Sequence, residues 1–303
     1  MRITARRPED LLAVVPVVLG FHPTESVVLL TFGARRQFHA RIDLPRTPAE
    51  IAATVAALLA PSVREQAQAV ALVLYAGERT AATARWASRA LVRGFEGAGI
   101  RVIDAIRADG ECWFALLPRR GGAPARGVRY DVTTHPISAQ AVFEGRAVLA
   151  SRSAVAETLR PDPAAAARLA DTAREVRPAD HDTVAAAVAT AAREGRWTDP
   201  VLASVLLGLR DPKVRDAAWG SMRRPESPKH VRLWTDAVRR APAELCAGAA
   251  AVLAYAAWLA GDGALAWCAV DRCREHEPGN SLARLVADLL EQAVPPAVLG
   301  GQG

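Results

Sequence analysis

Eight consecutive residues, Ala69 to Ala76, read Ala-Val-Ala-Leu-Val-Leu-Tyr-Ala without a charge. A continuous apolar run of that length suits a strand whose two faces are both covered, so it predicts a central strand with helices on either side. The flanking sequence must then supply those layers. Val27 to Phe32 is a second apolar run, and a turn at Gly33-Ala34-Arg35-Arg36 separates it from Phe38 to Leu44, whose alternation suits a half-exposed strand. These two strands are expected to form an antiparallel hairpin. Ahead of them, Glu9 to Val15 predicts a short helix ended by Pro16.

Thr47-Pro48-Ala49-Glu50 joins a capping threonine, proline at the first helical position and a glutamate three residues after the cap, and predicts a helix to about Ala60. A further helix is expected from Thr80 to Glu96. Ile100 to Arg107 and Glu111 to Leu117 read as two strands joined by the turn Asp109-Gly110. Residues 1–117 therefore predict an α/β (α+β) domain with a mixed β-sheet and flanking helices.

Residues 118–137, with Gly121-Gly122 and several arginines, read as a basic linker. Residues 138–296 predict an all-α helical domain, and residues 297–303 a disordered tail. Within the helical domain Asp162-Pro163, Asp199-Pro200, Asp211-Pro212 and Ser227-Pro228 each place a capping residue before proline. The terminal pair, Leu245 to Ala260 and Ala264 to Glu275 around Gly261-Asp262, has Ala266 and Pro278 at tetratricopeptide-like spacing. A single such hairpin is not a repeat array. A last helix is expected from Ser281 to Gln292.

Charge and composition narrow the function. Residues 1–150 hold 19 arginines and 13 acids, net +6, whereas residues 151–303 hold 19 basic and 19 acidic residues, net 0. Any attraction for an anion is thus expected in the first half. No dense basic stripe with interleaved aromatics accompanies the charge, so nucleic-acid binding is not expected. Cys112, Cys246, Cys268 and Cys273 show no CxxC pairing and read as reduced cytoplasmic thiols. Glu9, Asp10 and Pro16 interrupt what resembles a signal peptide. The uncharged run Leu245 to Ala260 would span only about 24 Å as a helix, short of a bilayer core, and reads as a buried core helix.

The opening Leu11-Leu12-Ala13 through Pro16, Leu19-Gly20-Phe21-His22-Pro23 and Ser26-Val27-Val28, with the closing Ala257 to Ala266, Pro278, Leu282 to Leu285 and Pro295-Pro296, resembles an actinobacterial family catalogued as domain of unknown function 4192. Members of that family often carry a cysteine pair followed by proline where this chain reads Leu116-Leu117-Pro118. The resemblance implies an actinobacterial cytosolic origin and supplies no activity.

The densest set of chemically capable residues is Gly20 to Ser26. If the first strand runs antiparallel to its neighbours, its start lies at their carboxyl ends, the edge where open sheets bind ligands and toward which both long helices point their amino termini. His22, Thr24, Glu25 and Ser26 would gather there with Arg46, Thr47, Gly77, Arg79, Thr80 and Arg107, with Asp109 nearby, a set that suits a small anionic metabolite. In the competing reading Gly20 and Pro23 shape a turn, Glu25 and Ser26 cap backbone groups, and His22 bonds a carbonyl. Asp180-His181-Asp182 and Cys273 with His276 lack the further ligands a metal needs, and Asp180 is well placed as a helix cap. Gly94 to Gly99 suits a helix-ending turn rather than a dinucleotide loop. Gly300-Gly301-Gln302-Gly303 ends the chain instead of forming a presented loop.

No cofactor or metal is expected. The leading functional expectation is a cytosolic binding or regulatory protein whose helical domain meets a protein partner through exposed aromatic positions. The alternative is an enzyme or sensor for a small anionic metabolite at the sheet edge.

Overall fold

The computed structural model describes residues 7–117, 124, 126–143 and 148–300. Residues 118–123 and 125 of the expected linker, 144–147 of the expected helical domain and 301–303 of the expected tail lie outside the described residues. The chain divides into two compact units, one of Met1–Arg152 with Gln292–Pro295, the other of Ser153–Glu291 with Pro296–Gly303.

The first unit is built on six strands, β1 (Ser26–Phe32), β2 (His39–Asp43), β3 (Ala69–Tyr75), β4 (Arg101–Ala108), β5 (Cys112–Ala115) and β6 (Val128–Arg129), in the spatial order β2-β1-β3-β4-β5-β6. β3 and β4 are parallel, and every other neighbouring pair is antiparallel. The predicted hairpin of β1 and β2 is present. The crossover from β2 does not reach an adjacent strand, because β1 lies between β2 and β3. All seven residues of β3 are buried, as its apolar run requires.

Alternation along β3 sends Val70, Leu72 and Leu74 to one face and Ala71, Val73 and Tyr75 to the other. The first face packs against α2 (Pro48–Arg64) and α3 (Ala81–Gly97), through Leu58, Leu91 and Phe95. The second is covered by α1 (Pro8–Leu19), through Leu11, Leu12, Val14 and Val15, and by residues around Tyr130, Val132 and Ile137. The unit is therefore a mixed sheet between two helical layers. α4 (Pro136–Phe143) packs on α1.

Four expectations are corrected here. α1 continues through Pro16 to Leu19, and α2 continues through Pro61 to Arg64. An internal proline costs a helix about 3 kcal/mol, but each buried leucine or valine recovers about 1.5–3 kcal/mol, and α1 buries eight residues. The stretch expected as a linker also contributes structure, since β6 pairs Val128 with Trp113 and Arg129 with Cys112. A two-residue strand carries too little pattern to be read before its partner is known. The units divide at Arg152, beyond the expected junction.

The second unit is helical: α5 (Arg152–Glu157), α6 (Pro163–Glu175), α7 (His181–Glu194), α8 (Asp199–Gly208), α9 (Pro212–Gly220), α10 (Ser227–Arg240), α11 (Cys246–Ala260), α12 (Gly263–Arg274) and α13 (Ser281–Glu291). Asp162, Asp180 and Asp211 accept backbone N–H bonds as caps of α6, α7 and α9. Asp199 and Ser227 do not cap; Asp199 pairs with Arg240, and the Ser227 hydroxyl donates to the Arg224 carbonyl at 2.7 Å. α11 forms the core of the unit against α10, α12 and α13. Ala243–Ala260 is long and apolar enough to cross a membrane, yet 83% of it is buried inside the fold.

Candidate functional site

α1 ends at Gly20, whose φ of +76° is a left-handed conformation open to glycine at little cost. The chain then runs alongside Leu149: the Gly20 carbonyl accepts from Leu149 N–H at 2.8 Å, and His22 N–H donates to the Leu149 carbonyl at 3.0 Å. Pro23 is buried and His22 and Thr24 are exposed. Ser26 opens β1 opposite Tyr75, which lies beside Ala108 in β4. The start of β1 thus meets the carboxyl ends of the parallel strands, as the topology argument required.

An open cavity of about 440 Å³ lies at this edge, with His22, Thr24, Glu25, Gly77, Asp109, Tyr130, Asp131 and Thr133 in its wall. Tyr75, Ala108, Tyr130 and Val132 of its wall belong to the core on the α1 face, so the cavity opens on that face of the sheet. Glu25 adopts a φ of +42°, uncommon for a residue with a side chain. Its Oε1 accepts from Gly77 N–H at 3.2 Å and from the Thr80 hydroxyl at 3.0 Å, and its carbonyl accepts from Leu44 N–H at 2.8 Å. Those bonds hold the strained residue in place.

The remaining sequence candidates are deployed elsewhere. Ser26 is buried; its hydroxyl donates to the Thr24 carbonyl at 2.5 Å and accepts from Arg41 Nε at 2.8 Å. Thr47 caps α2 by accepting from Glu50 N–H, while Glu50 accepts from Arg46 N–H at 2.6 Å. Those bonds hold the exposed Glu50 carboxyl below the ordinary range. Arg46, Thr47 and Arg79 are exposed and form no part of the cavity wall. Arg107 is 3% exposed and lies beside Leu74 in the ladder, on the opposite face from the cavity. Its guanidinium donates to the Ala76 carbonyl at 2.9 Å and stacks 3.8 Å above the Phe114 ring. The expected convergence of arginines on an anion is absent, because strand alternation turns Arg107 away and the helix starts are occupied by Glu25, Thr47 and Glu50.

Sequence reasoning missed Tyr75, Tyr130, Asp131 and Thr133. Tyr75 was hidden in the apolar run, and the others lay in or just beyond a stretch without periodicity. Tyr75 is 8% exposed, and its hydroxyl, itself closed to solvent, has no hydrogen-bond partner among the described residues. Burial raises its pKa, and neighbouring Tyr130 adds to the rise, so the phenol stays neutral. Tyr130 is raised by burial and then by the nearby Asp109 charge. Asp131 Oδ1 accepts from both Thr133 N–H and the Thr133 hydroxyl, which lowers its pKa. Asp109 Oδ1 accepts from Glu111 N–H at 3.0 Å and Cys112 N–H at 2.8 Å.

The helical unit has a cavity of about 460 Å³ near Leu209, Arg210, Glu244, Gly248 and His276. None of the described buried polar atoms that lack partners belongs to its wall. Among the described residues no group of three or more His, Cys, Asp or Glu side chains is placed to hold a metal ion. Cys273 is buried whereas His276 is exposed, and Gly94 to Gly99 ends α3, with Gly99 at φ +75°.

The chain matches no curated protein and no solved structure. A family defined as a domain of unknown function (DUF4192) matches residues 8–297, which covers the elements of both units, and the chain belongs to that family.

Proposed function

We propose that this protein is a binding or regulatory protein whose α/β unit takes a small polar ligand at the edge formed by the start of β1 and the ends of β3 and β4. The observation that carries the reading is Glu25, which lines the cavity from a backbone held at a φ of +42°. Such strained conformations cluster at binding sites. Four free cysteines among the described residues accord with a cytosolic setting.

The test is a thermal-shift screen of polar metabolites against the full chain and against His22→Ala, a substitution at an exposed wall residue. A ligand at about 100 times its Kd adds roughly 2.7 kcal/mol. The expected result is a rise in Tm for a subset of compounds that shrinks in His22→Ala. A screen without any rise, or rises identical in the variant, would remove the cavity as the binding site.

A protein partner for the helical unit is a second proposal, resting on the hairpin of α11 and α12 and its tetratricopeptide-like small residues. It now lacks the exposed aromatics that sequence reasoning assigned to it. Trp197, Trp234, Tyr255 and Trp258 are buried, Trp219 and Trp267 are half-buried, and the exposed large apolar side chains described there are Val201, Leu285 and Val298.

A further inference from the structure

We infer that the outer face of α3 binds single-stranded nucleic acid, through a row of arginines and a tryptophan that stands among them. The inference is independent of the sheet-edge cavity.

Residue order conceals this face. Arg85, Arg89 and Arg93 are separated by small or apolar residues along the chain, and only the helical period gathers them. At 3.6 residues per turn, Arg85, Trp86, Arg89 and Arg93 fall within about 100° of the helix circumference. All four are exposed, whereas Ala84, Ala87, Leu91 and Phe95 on the other side are buried in the core of the unit. Trp86 is 46% exposed, and Arg89 and Arg93 follow it three and seven residues on, so the indole lies beside the guanidinium row. Arg79 stands exposed in the turn just ahead of the helix.

The charge of this row is uncompensated. None of Arg79, Arg85, Arg89 and Arg93 forms an ion pair or side-chain hydrogen bond among the described residues. Other arginines of the same unit do: Arg41 meets Asp43, Arg64 meets Glu65 and Arg107 meets Glu78. Glu96, the only acid of α3, lies beyond Arg93 and pairs with none of them. On α2, which packs beside α3, the exposed residues between Glu50 and Arg64 are alanines and Val63. Like charges four residues apart weaken a helix, so the row opposes the stability of α3 until an anion meets it.

Three polyanions could meet such a face, and the aromatic decides among them. Exposed ion pairs between proteins contribute little each, and the alanines of α2 offer an acidic partner helix only a shallow apolar contact. The apolar side of α3 is buried and cannot enter an anionic bilayer, which leaves little beyond Trp86 to insert. A nucleic-acid strand releases condensed counterions for each phosphate an arginine neutralises, and its bases can stack on the exposed indole. Guanidinium forks suit phosphate oxygens, and stacking on Trp86 requires a base face that a duplex keeps covered.

The test is fluorescence anisotropy of the full chain at low ionic strength with labelled oligothymidylate and oligouridylate of about 16 nucleotides. Duplex DNA, polyglutamate and phosphatidylglycerol vesicles serve as the competing polyanions. At least one single strand is expected to bind more tightly than all three, with affinity falling tenfold or more in Trp86→Ala. The slope of log affinity against log salt is expected to shrink by about 0.7 in Arg89→Gln, as one phosphate contact is lost. Both side chains are exposed, so both variants are expected to melt with the parent chain, and weaker binding is then not a folding defect. Failure of both strands to bind, tighter binding of polyglutamate, vesicles or duplex, or single-strand binding unchanged in the two variants would each overturn the inference. Binding weakened by Arg89→Gln and untouched by Trp86→Ala would overturn the choice of a single strand, since stacking is what selects it.

Discussion

The two units contain cavities of similar size, about 440 Å³ at the sheet edge and about 460 Å³ among the helices, and they differ in what lines them. The first has a buried phenol without a partner and a strained glutamate in its wall; the second has neither among the described residues. In the helical unit Arg215 and Arg240 join elements, while His230 Nδ1 and Trp234 Nε1 are buried without a partner among the described residues. Arg215, 4% exposed, donates to the Asn280 side chain at 3.3 Å and to the Ser281 hydroxyl at 2.9 Å, tying α9 to the start of α13. Arg240 bonds Asp236 at 2.7 Å and also Asp199, at the start of α8. Volume therefore does not distinguish a binding site from a packing gap here. The conformation of the residues in the wall sets the two cavities apart.

The largest expected effect sharpens that contrast. Arg215→Ala should destabilise the helical unit by about 3–4 kcal/mol, through lost packing and a broken buried polar network, without changing ligand binding at the sheet edge. Denaturant unfolding followed by tryptophan fluorescence, paired with calorimetry, measures both. A loss of binding in this variant at temperatures where it is folded would show that the units do not divide their roles in this way.

Acid should separate the units next. Burial lowers the pKa of His39, on the edge strand β2, to about 4, and its Nδ1 is buried without a partner among the described residues. The unfolded chain, with a histidine pKa near 6.5, binds this proton first, so stability is full above about pH 6.5 and falls as pH drops toward 4. The loss should reach about 2–3 kcal/mol and be absent in His39→Asn. His230 in the helical unit is also lowered by burial, with Glu226 opposing the shift, so its unit should respond less over the same range. Unfolding monitored between pH 7 and 4 in both chains checks the sign; equal acid sensitivity would assign the loss to other groups.

The smallest effect concerns Glu25 itself. Glu25→Ala removes the bonds to Gly77 and Thr80 and keeps the left-handed backbone, whereas Glu25→Gly removes the bonds and relieves the backbone. The glycine variant should be the more stable of the two by about 1 kcal/mol. Equal stability would mean that the conformation stores little strain.

Much of this architecture was legible in residue order. The apolar run of β3 announced a strand covered on both faces. Thr47-Pro48-Ala49-Glu50 announced the start of α2, and Asp109-Gly110 the β4–β5 turn. Glu25 meets Gly77 and Thr80 because they lie at neighbouring strand ends. The ends of α1 and α2 were misjudged because the penalty at Pro16 or Pro61 is local, while the burial that outweighs it comes from elsewhere in the chain. β6 was invisible because two residues carry no period.

The amino-acid sequence by itself determined the longer elements of the sheet unit, other than where α1 and α2 end, and the edge at which β1 meets β3 and β4, since periodicity, caps and turn residues act over a few positions. Only the tertiary structure decided which side chains face the cavity. That choice follows from strand alternation and register: one residue's difference puts Arg107 beneath the sheet with Leu74 and leaves Tyr75 and Ala108 on the other face. The sign of the charge at the site follows from the same geometry, in a unit whose overall charge has the opposite sign.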